Sequence, residues 1–270
     1  MRCTIVLILL LSSFLATAQK TDHNLEQQIQ TLLKGFNGDV GVYVHDLKKN
    51  RIVAINADTV FPTASIVKIS ILTGIMDKIQ KGQLDYHQRL TYTDSLYYGE
   101  GDDIMSLAKP GSTIELSKVM MLMLTISDNC ASLWLQGLSG GGTRINQILD
   151  SLGFKVTRVN SRTPGREANR NRYGWGQTSP KEIATFMERI VNGDILSKES
   201  SERMLRLLGR QYWDEEAISQ IPPGTFIADK NGAVDESRNE VMYVNCKNNR
   251  YIFSIFTKNK YNGTTHIRFY

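Results

Sequence analysis

Strand-like patterning in this chain is confined to its two ends, and the long stretch between them reads as helix. Val40, Val42 and Val44 alternate with Gly41, Tyr43 and His45, Lys48-Lys49-Asn50 turns the chain, and Ile52-Val53-Ala54-Ile55 returns. Alternation on both sides of a polar turn marks an antiparallel hairpin. Strand patterning resumes only at Phe226 to Asp229, Glu240 to Asn245 and Tyr251 to Phe256. An isolated hairpin is marginal in water, so the two ends gain most by joining in one sheet. The expected fold is α/β (α+β): an antiparallel sheet built from both chain ends, flanked by helices, with an inserted all-helical lobe. The sheet lobe is expected over 19–61 and about 210–270, and the helical lobe over about 62–209. A site is expected where the lobes meet.

Asn24 is the expected cap of a first helix through Leu33, stopped at Gly35. Ile66 to Ile79 is a second, and Val119 to Leu124, apolar on every side, belongs to a helix buried all round. Thr143 to Leu152 is a third inserted helix. Ser179-Pro180-Lys181-Glu182 is a capping box opening a helix through Ile190. Another spans about Lys198 to Leu208.

The first residues are expected to form a leader. Arg2 is basic, Ile5 to Leu11 with Phe14 and Leu15 is apolar, and Ala16-Thr17-Ala18 is a small-residue cleavage site. A signal peptide of residues 1–18, cut after Ala18, implies a secreted or periplasmic protein with no membrane attachment after cleavage. Lys and Arg number 32 against 27 Asp and Glu, a net +5 that falls to +4 without Arg2. No basic run exists, which argues against nucleic-acid binding. Cys130 and Cys246 remain after the leader and can either pair or stay as separate thiols. His23, His45, His87 and His266 are scattered, so no metal site and no cofactor are expected. The expected partner is a small-molecule substrate, and the expected state a monomer.

Four groups carry chemistry. Ser65-Ile66-Val67-Lys68 lies where a helix opens after Pro62, and a spacing of three leaves the two side chains ~60° apart around a helix. A lysine there can take the serine proton, and the helix N-terminus favours an anion. The spacing alone is common; Ser106-Leu107-Ala108-Lys109 repeats it without opening a helix. Ser127-Asp128-Asn129 ends the buried helix, either as a plain polar helix-ending turn or as an extended turn from which Ser127 and Asn129 can reach one cavity. Lys230-Asn231-Gly232-Ala233 lies on a late strand, where Gly232 admits a close ligand and the Ala233 N–H can join that of Ser65 in an oxyanion hole. Glu167 and Asn171, in a loop between Pro164-Gly165 and Ser179, can share a water or simply face solvent.

In this order the four groups resemble the S-x-x-K, S-D-N, glutamate-loop and K-T-G motifs of class A serine β-lactamases. Gly99-Glu100-Gly101, Thr125-Ile126, Thr178-Ser179-Pro180, Ile221-Pro222-Pro223-Gly224 and Ile227 to Lys230 look like that family too, so the likeness spans about residues 25–257. The resemblance implies that 19–270 is one β-lactamase-like catalytic domain. Ser65 would attack a β-lactam carbonyl, with Lys68 or Glu167 as base. Ser127 would protonate the leaving nitrogen, and Glu167, with Asn171 holding the water, would clear the acyl-enzyme. Asn129, Asn231, Gly232 and Ala233 would contact substrate, and Lys230, helped by Arg238, would attract its carboxylate. A D,D-peptidase or penicillin-binding relative acting on peptidoglycan peptides would share Ser65, Lys68, Ser127 and Lys230 and have no need of Glu167. An inactive relative binding peptidoglycan or a partner would need none. Three departures stand out: Asn231 replaces the family's Thr or Ser; the loop from Asn171 to Pro180 is short, with Gly165 in place of its bracing arginine and Arg166 or Arg162 as substitutes; and no helical pattern follows Phe256.

Overall fold

The computed structural model describes residues 19–99, 103–235 and 237–259. The expected leader with its cleavage point, Glu100-Gly101, and the chain after 259 lie outside these residues. In chain order the strands are β1 (Lys20–Thr21), β2 (Gly38–Asp46), β3 (Arg51–Ile55), β4 (Phe61–Pro62), β5 (Arg89–Thr91), β6 (Thr113–Glu115), β7 (Arg158–Val159), β8 (Gly176–Thr178), β9 (Phe226–Val234), β10 (Ser237–Cys246) and β11 (Asn249–Asn259). The helices are α1 (His23–Leu32), α2 (Val67–Gln80), α3 (Leu116–Thr125), α4 (Asn129–Leu138), α5 (Gly141–Ser151), α6 (Glu167–Tyr173), α7 (Pro180–Asn192) and α8 (Lys198–Leu208).

One sheet runs in the order β1-β3-β2-β11-β10-β9, so strands from both chain ends interleave as expected. The join is antiparallel, Val42 facing Ile255 and Val44 facing Phe253. Alternation then decides which side each residue covers. Val40, Val42, Val44 and Val53 form a small apolar cluster with Ile29 and Leu33 at the α1 end. Tyr43, Ile252, Phe256, Val241 and Tyr243 belong to the main core, which continues into the helical lobe. The first helix starts earlier than Asn24: the Asp22 carboxylate accepts from the Leu25 N–H at 3.1 Å. A carboxylate outcompetes an amide there because it also meets the helix dipole with charge.

Helix α2 is the axis of the helical lobe. Every residue from Val67 to Asp77 is buried, with Ile69, Ile71, Leu72, Ile75 and Met76 fully covered. Each such side chain contributes ~1.5–3 kcal/mol. A helix with no wet face must satisfy its polar residues internally. Thr73 donates to the Ile69 carbonyl, and Asp77 pairs with Lys81 at 2.7 Å and Arg144 at 2.9 Å. Helix α3 is less enclosed than its composition suggests: Met121 and Leu122 are half-buried and Lys118 is exposed.

The capping box at α7 is half formed. Ser179 Oγ accepts from the Glu182 N–H at 3.2 Å, but the Glu182 carboxylate accepts from the backbone N–H groups of Lys155, Val156 and Thr157. Those donors have no ladder partner, so they claim the carboxylate. Two helices have no forerunner in the sequence reading, α4 and α6. Cys130 and Cys246 are both free; one thiol donates to the Leu96 carbonyl and the other to the Asn249 carbonyl.

Candidate active site

Ser65 does not lie inside α2. It sits in a single 3₁₀ turn, Ala64–Ile66, between β4 and the helix, because Pro62 is still paired with Gln177 as a strand. Ala64 there has φ +46°, a left-handed conformation that costs a residue with a Cβ ~1–3 kcal/mol. The turn is held from the sheet side: Asn239 Nδ2 donates to the Pro62 carbonyl at 2.8 Å, and the Thr63 N–H donates to the Gly176 carbonyl at 3.0 Å.

One turn into the helix, Lys68 is fully buried. Its Nζ lies 2.9 Å from Ser65 Oγ, 2.9 Å from Ser127 Oγ, 2.6 Å from the Ser127 carbonyl and 2.8 Å from Asn129 Oδ1. The ammonium can donate to three of these four oxygens, and the neutral amine can donate to two while its lone pair accepts from a hydroxyl. No carboxylate touches Lys68 among the described residues. Burial, reinforced by the positive charge of Lys230, pushes its pKa well below the ordinary lysine range. The site therefore combines a serine hydroxyl, a lysine whose proton is held less tightly than usual, and a second hydroxyl across from it.

Ser127 is not in an extended turn. It has φ +62°, and Asn129 begins α4, capped by Asp128, whose Oδ1 accepts from the Ala131 N–H at 2.7 Å. The other Asp128 oxygen accepts from the Met105 N–H, and Asp103 Oδ1 accepts from the Asn129 N–H. Two buried acids thus hold the backbone that presents Ser127 and Asn129 to Lys68. Sequence reasoning passed over both because neither touches the reactive group.

Among the described residues strand β9 is one edge of the sheet, and it runs beside the Ser65 turn. A Cβ on Gly232 would lie 2.6 Å from the Thr63 carbonyl and 3.0 Å from Ser65 N, so only glycine permits the approach. Lys230 is buried, and its Nζ donates to the Asn231 carbonyl and to Asn231 Oδ1, both at 2.9 Å. Burial lowers its pKa to about 8. Ala233 is exposed at the strand end.

Three expected residues stand apart. Glu167 is exposed, and its carboxylate accepts from the Gly165 N–H at 3.1 Å rather than reaching Ser65 or Lys68. It opens α6, where an acid next to free N–H groups is stabilised. Asn171 is exposed on the same helix. The Arg238 guanidinium turns back to the carbonyls of Asp235 and Ser237, closing the β9–β10 turn instead of facing Lys230. The short loop does find its brace. Arg166 donates to Asn160 Oδ1 at 2.7 Å and to Gln177 Oε1 at 2.8 Å, while Arg162 stays exposed. Of the two aromatic residues before the site, Tyr98 packs edge-on against Trp175 and Tyr97 faces solvent.

A sheet interleaved from both ends, an inserted helical lobe, and a Ser-x-x-Lys pair at their junction define the serine-hydrolase fold shared by β-lactamases and penicillin-binding transpeptidases. The chain belongs to the beta-lactamase enzyme family, whose model matches residues 24–269. It is 28% identical to a beta-lactamase of Streptomyces fradiae over 227 residues, 80% of this chain and 71% of that protein. It is 25% identical to beta-lactamase SME-1 of Serratia marcescens, over 96% of this chain and 88% of that protein. Among solved structures, PBP-A is 30% identical with a TM-score of 0.80, covering 91% of each chain, and a point mutant of PBP-A is described as an acyl-enzyme complex with penicillin G.

Proposed function

We propose that this protein is an exported class A-like serine hydrolase that opens β-lactam rings by acylation of Ser65. The observation that carries the reading is the Lys68 nitrogen, buried and in contact with both Ser65 Oγ and Ser127 Oγ. In acylation the neutral Lys68 amine takes the Ser65 proton as Oγ bonds to the carbonyl carbon. The carbon–nitrogen bond then breaks, Ser127 gives its proton to the nitrogen, and Lys68 returns a proton to Ser127. The Ser65 and Ala233 N–H groups hold the oxyanion, and losing one such donor typically costs ~2.7–4 kcal/mol. Water finally splits the ester.

The position of Glu167 favours a second reading for that last step. An exposed carboxylate bonded to Gly165 is no base for a water at Ser65 unless the start of α6 turns inward. A penicillin-binding, D,D-peptidase-like enzyme that clears its acyl group slowly fits this arrangement, and so does the likeness to PBP-A. Nitrocefin turnover by wild type and Glu167→Gln separates the two. A drop of ~10²–10⁴ in deacylation supports Glu167-assisted hydrolysis. An unchanged rate supports the slow-clearing reading, and absence of any Ser65 adduct contradicts both.

A further inference from the structure

Lys230 is the cation that the family resemblance offers to a substrate carboxylate, yet here its surroundings leave it little to offer. Its ammonium is covered, and two of its three hydrogens are engaged by Asn231, one by the main-chain oxygen and one by the side-chain oxygen. A threonine or serine at 231 would present a compact hydroxyl able to donate to an anion; Asn231 Oδ1 instead accepts from Lys230 and Gln211, which leaves the bulkier Nδ2 as the only donor of that side chain.

Beneath Lys230 lie two further acids. Asp229 precedes it on β9, and Glu240 sits on β10 directly opposite Asn231; both are buried. Gln211 Nε2 donates to Asp229 Oδ1 at 3.1 Å, while Asp229 Oδ2 receives no donor. The register of β9 with β10 sets the Glu240 carboxyl beside Asp229, and the charge of Asp229 raises the cost of ionising Glu240. Two carboxylates cannot bond to each other, so the pair closes only around one retained proton. Burial raises the pKa of both acids, in line with that proton. The pair then carries one negative charge against the one positive charge of Lys230. The other charges felt here are Glu216, which adds to the acids, and Lys68, which disfavours a second cation.

We propose that Asn231 and the Asp229–Glu240 pair close Lys230 to anions, so that the site takes acyl donors whose leaving side carries no carboxylate. The inference rests on acylation at Ser65 and narrows its substrates. Asn231 acts as a specificity-determining residue, and Glu240 as a positioning residue working through Asp229.

The test uses penicillin G and its methyl ester, which share an acyl group and differ by one carboxylate. Second-order rates of Ser65 acylation are measured by mass spectrometry for wild type, Asn231→Thr and the double amide variant Asp229→Asn/Glu240→Gln. Wild type should acylate faster with the ester. Each variant should move the ratio toward the free acid by at least about tenfold, the scale of one charge contact regained. Circular dichroism confirms that each is folded, and Asn231→Thr, on a partly exposed position, serves if the double variant is not. Infrared spectra give a reading independent of activity: wild type at neutral pH should show a buried protonated-carboxyl band that Glu240→Gln lacks. Wild type preferring the free acid, ratios unchanged in folded variants, or no such band would overturn the proposal while leaving acylation at Ser65 intact. No adduct with either donor would instead overturn the acyl-Ser65 reading, and this inference with it.

Discussion

A fully buried lysine with no carboxylate in contact among the described residues gives up its proton more readily than an exposed one, and that is what Lys68 needs to act as a base. Its pKa is lowered by burial first and by Lys230 second. Below the folded value Lys68 is protonated and cannot accept the Ser65 proton. Acylation should therefore fall as pH falls through that value, and the acid limb should disappear in Lys68→Ala along with ~10²–10⁴ of the rate. A stopped-flow pH profile of acylation checks both. Glu240 gives the opposite sign. Its folded pKa is raised by burial and by Asp229, so the native state holds a proton that the unfolded chain releases. Its contribution to stability is complete below the ordinary carboxylate range and is lost as pH rises toward the folded value. Glu240→Gln supplies a permanent N–H to Asp229 and escapes this loss. Its unfolding free energy relative to wild type should grow between pH 5 and pH 7, by up to about 1.4 kcal/mol per pH unit. Equal urea midpoints at both pH values would count against the shared proton.

At the scale of elements, the site exists because an edge strand and a strained turn can touch. Gly232 lets β9 approach the Ala64–Ile66 turn, with backbone rather than flexible side chain on the far side. Gly232→Ala should push the strand away, costing ~1–3 kcal/mol in stability and most of the acylation rate. A thermal melt and an adduct time course read these separately. The loop carrying Glu167 depends on a different clasp, in which Arg166 joins Asn160 to Gln177. Arg166→Ala leaves Asn160 Oδ1 without its donor, while Gln177 Oε1 keeps Asn169, and should lower stability by ~1–3 kcal/mol. The clasp explains why α6 was not legible in the sequence: seven residues rich in Arg and Asn show no apolar stripe, and a helix this short is fixed by its ends. Helix α4 was hidden for another reason. Asp128 reads equally well as the end of α3 or the start of a new helix, and only its bond to the Ala131 N–H decides.

Across the whole molecule, what the sequence revealed was whatever local periodicity encodes. The β2–β3 hairpin, α2, α5, α7 and α8 follow from alternation, apolar spacing and caps, and the order of the Ser65, Ser127 and Lys230 groups pointed to one junction. What it hid depends on residues far apart in the chain. Asp229 and Glu240 meet only through the register of β9 with β10. Arg238 was drawn to the site by its charge, but the tight β9–β10 turn supplies it with nearer carbonyls. Glu167 lay in the right order, yet its orientation is set by the Gly165 N–H beside it. Cys130 and Cys246 stand apart because one belongs to the helical lobe and the other to the end of the β10–β11 hairpin. The central claim is that these distant pieces converge to make Ser65 a nucleophile. Its most direct test is to incubate the purified protein with penicillin G and map the adduct by peptide mass spectrometry. A single acyl group on Ser65, absent from Ser65→Ala and strongly slowed in Lys68→Ala, is the predicted result. A folded wild-type protein that stays unmodified with both penicillin G and its methyl ester, or one labelled elsewhere, would contradict it.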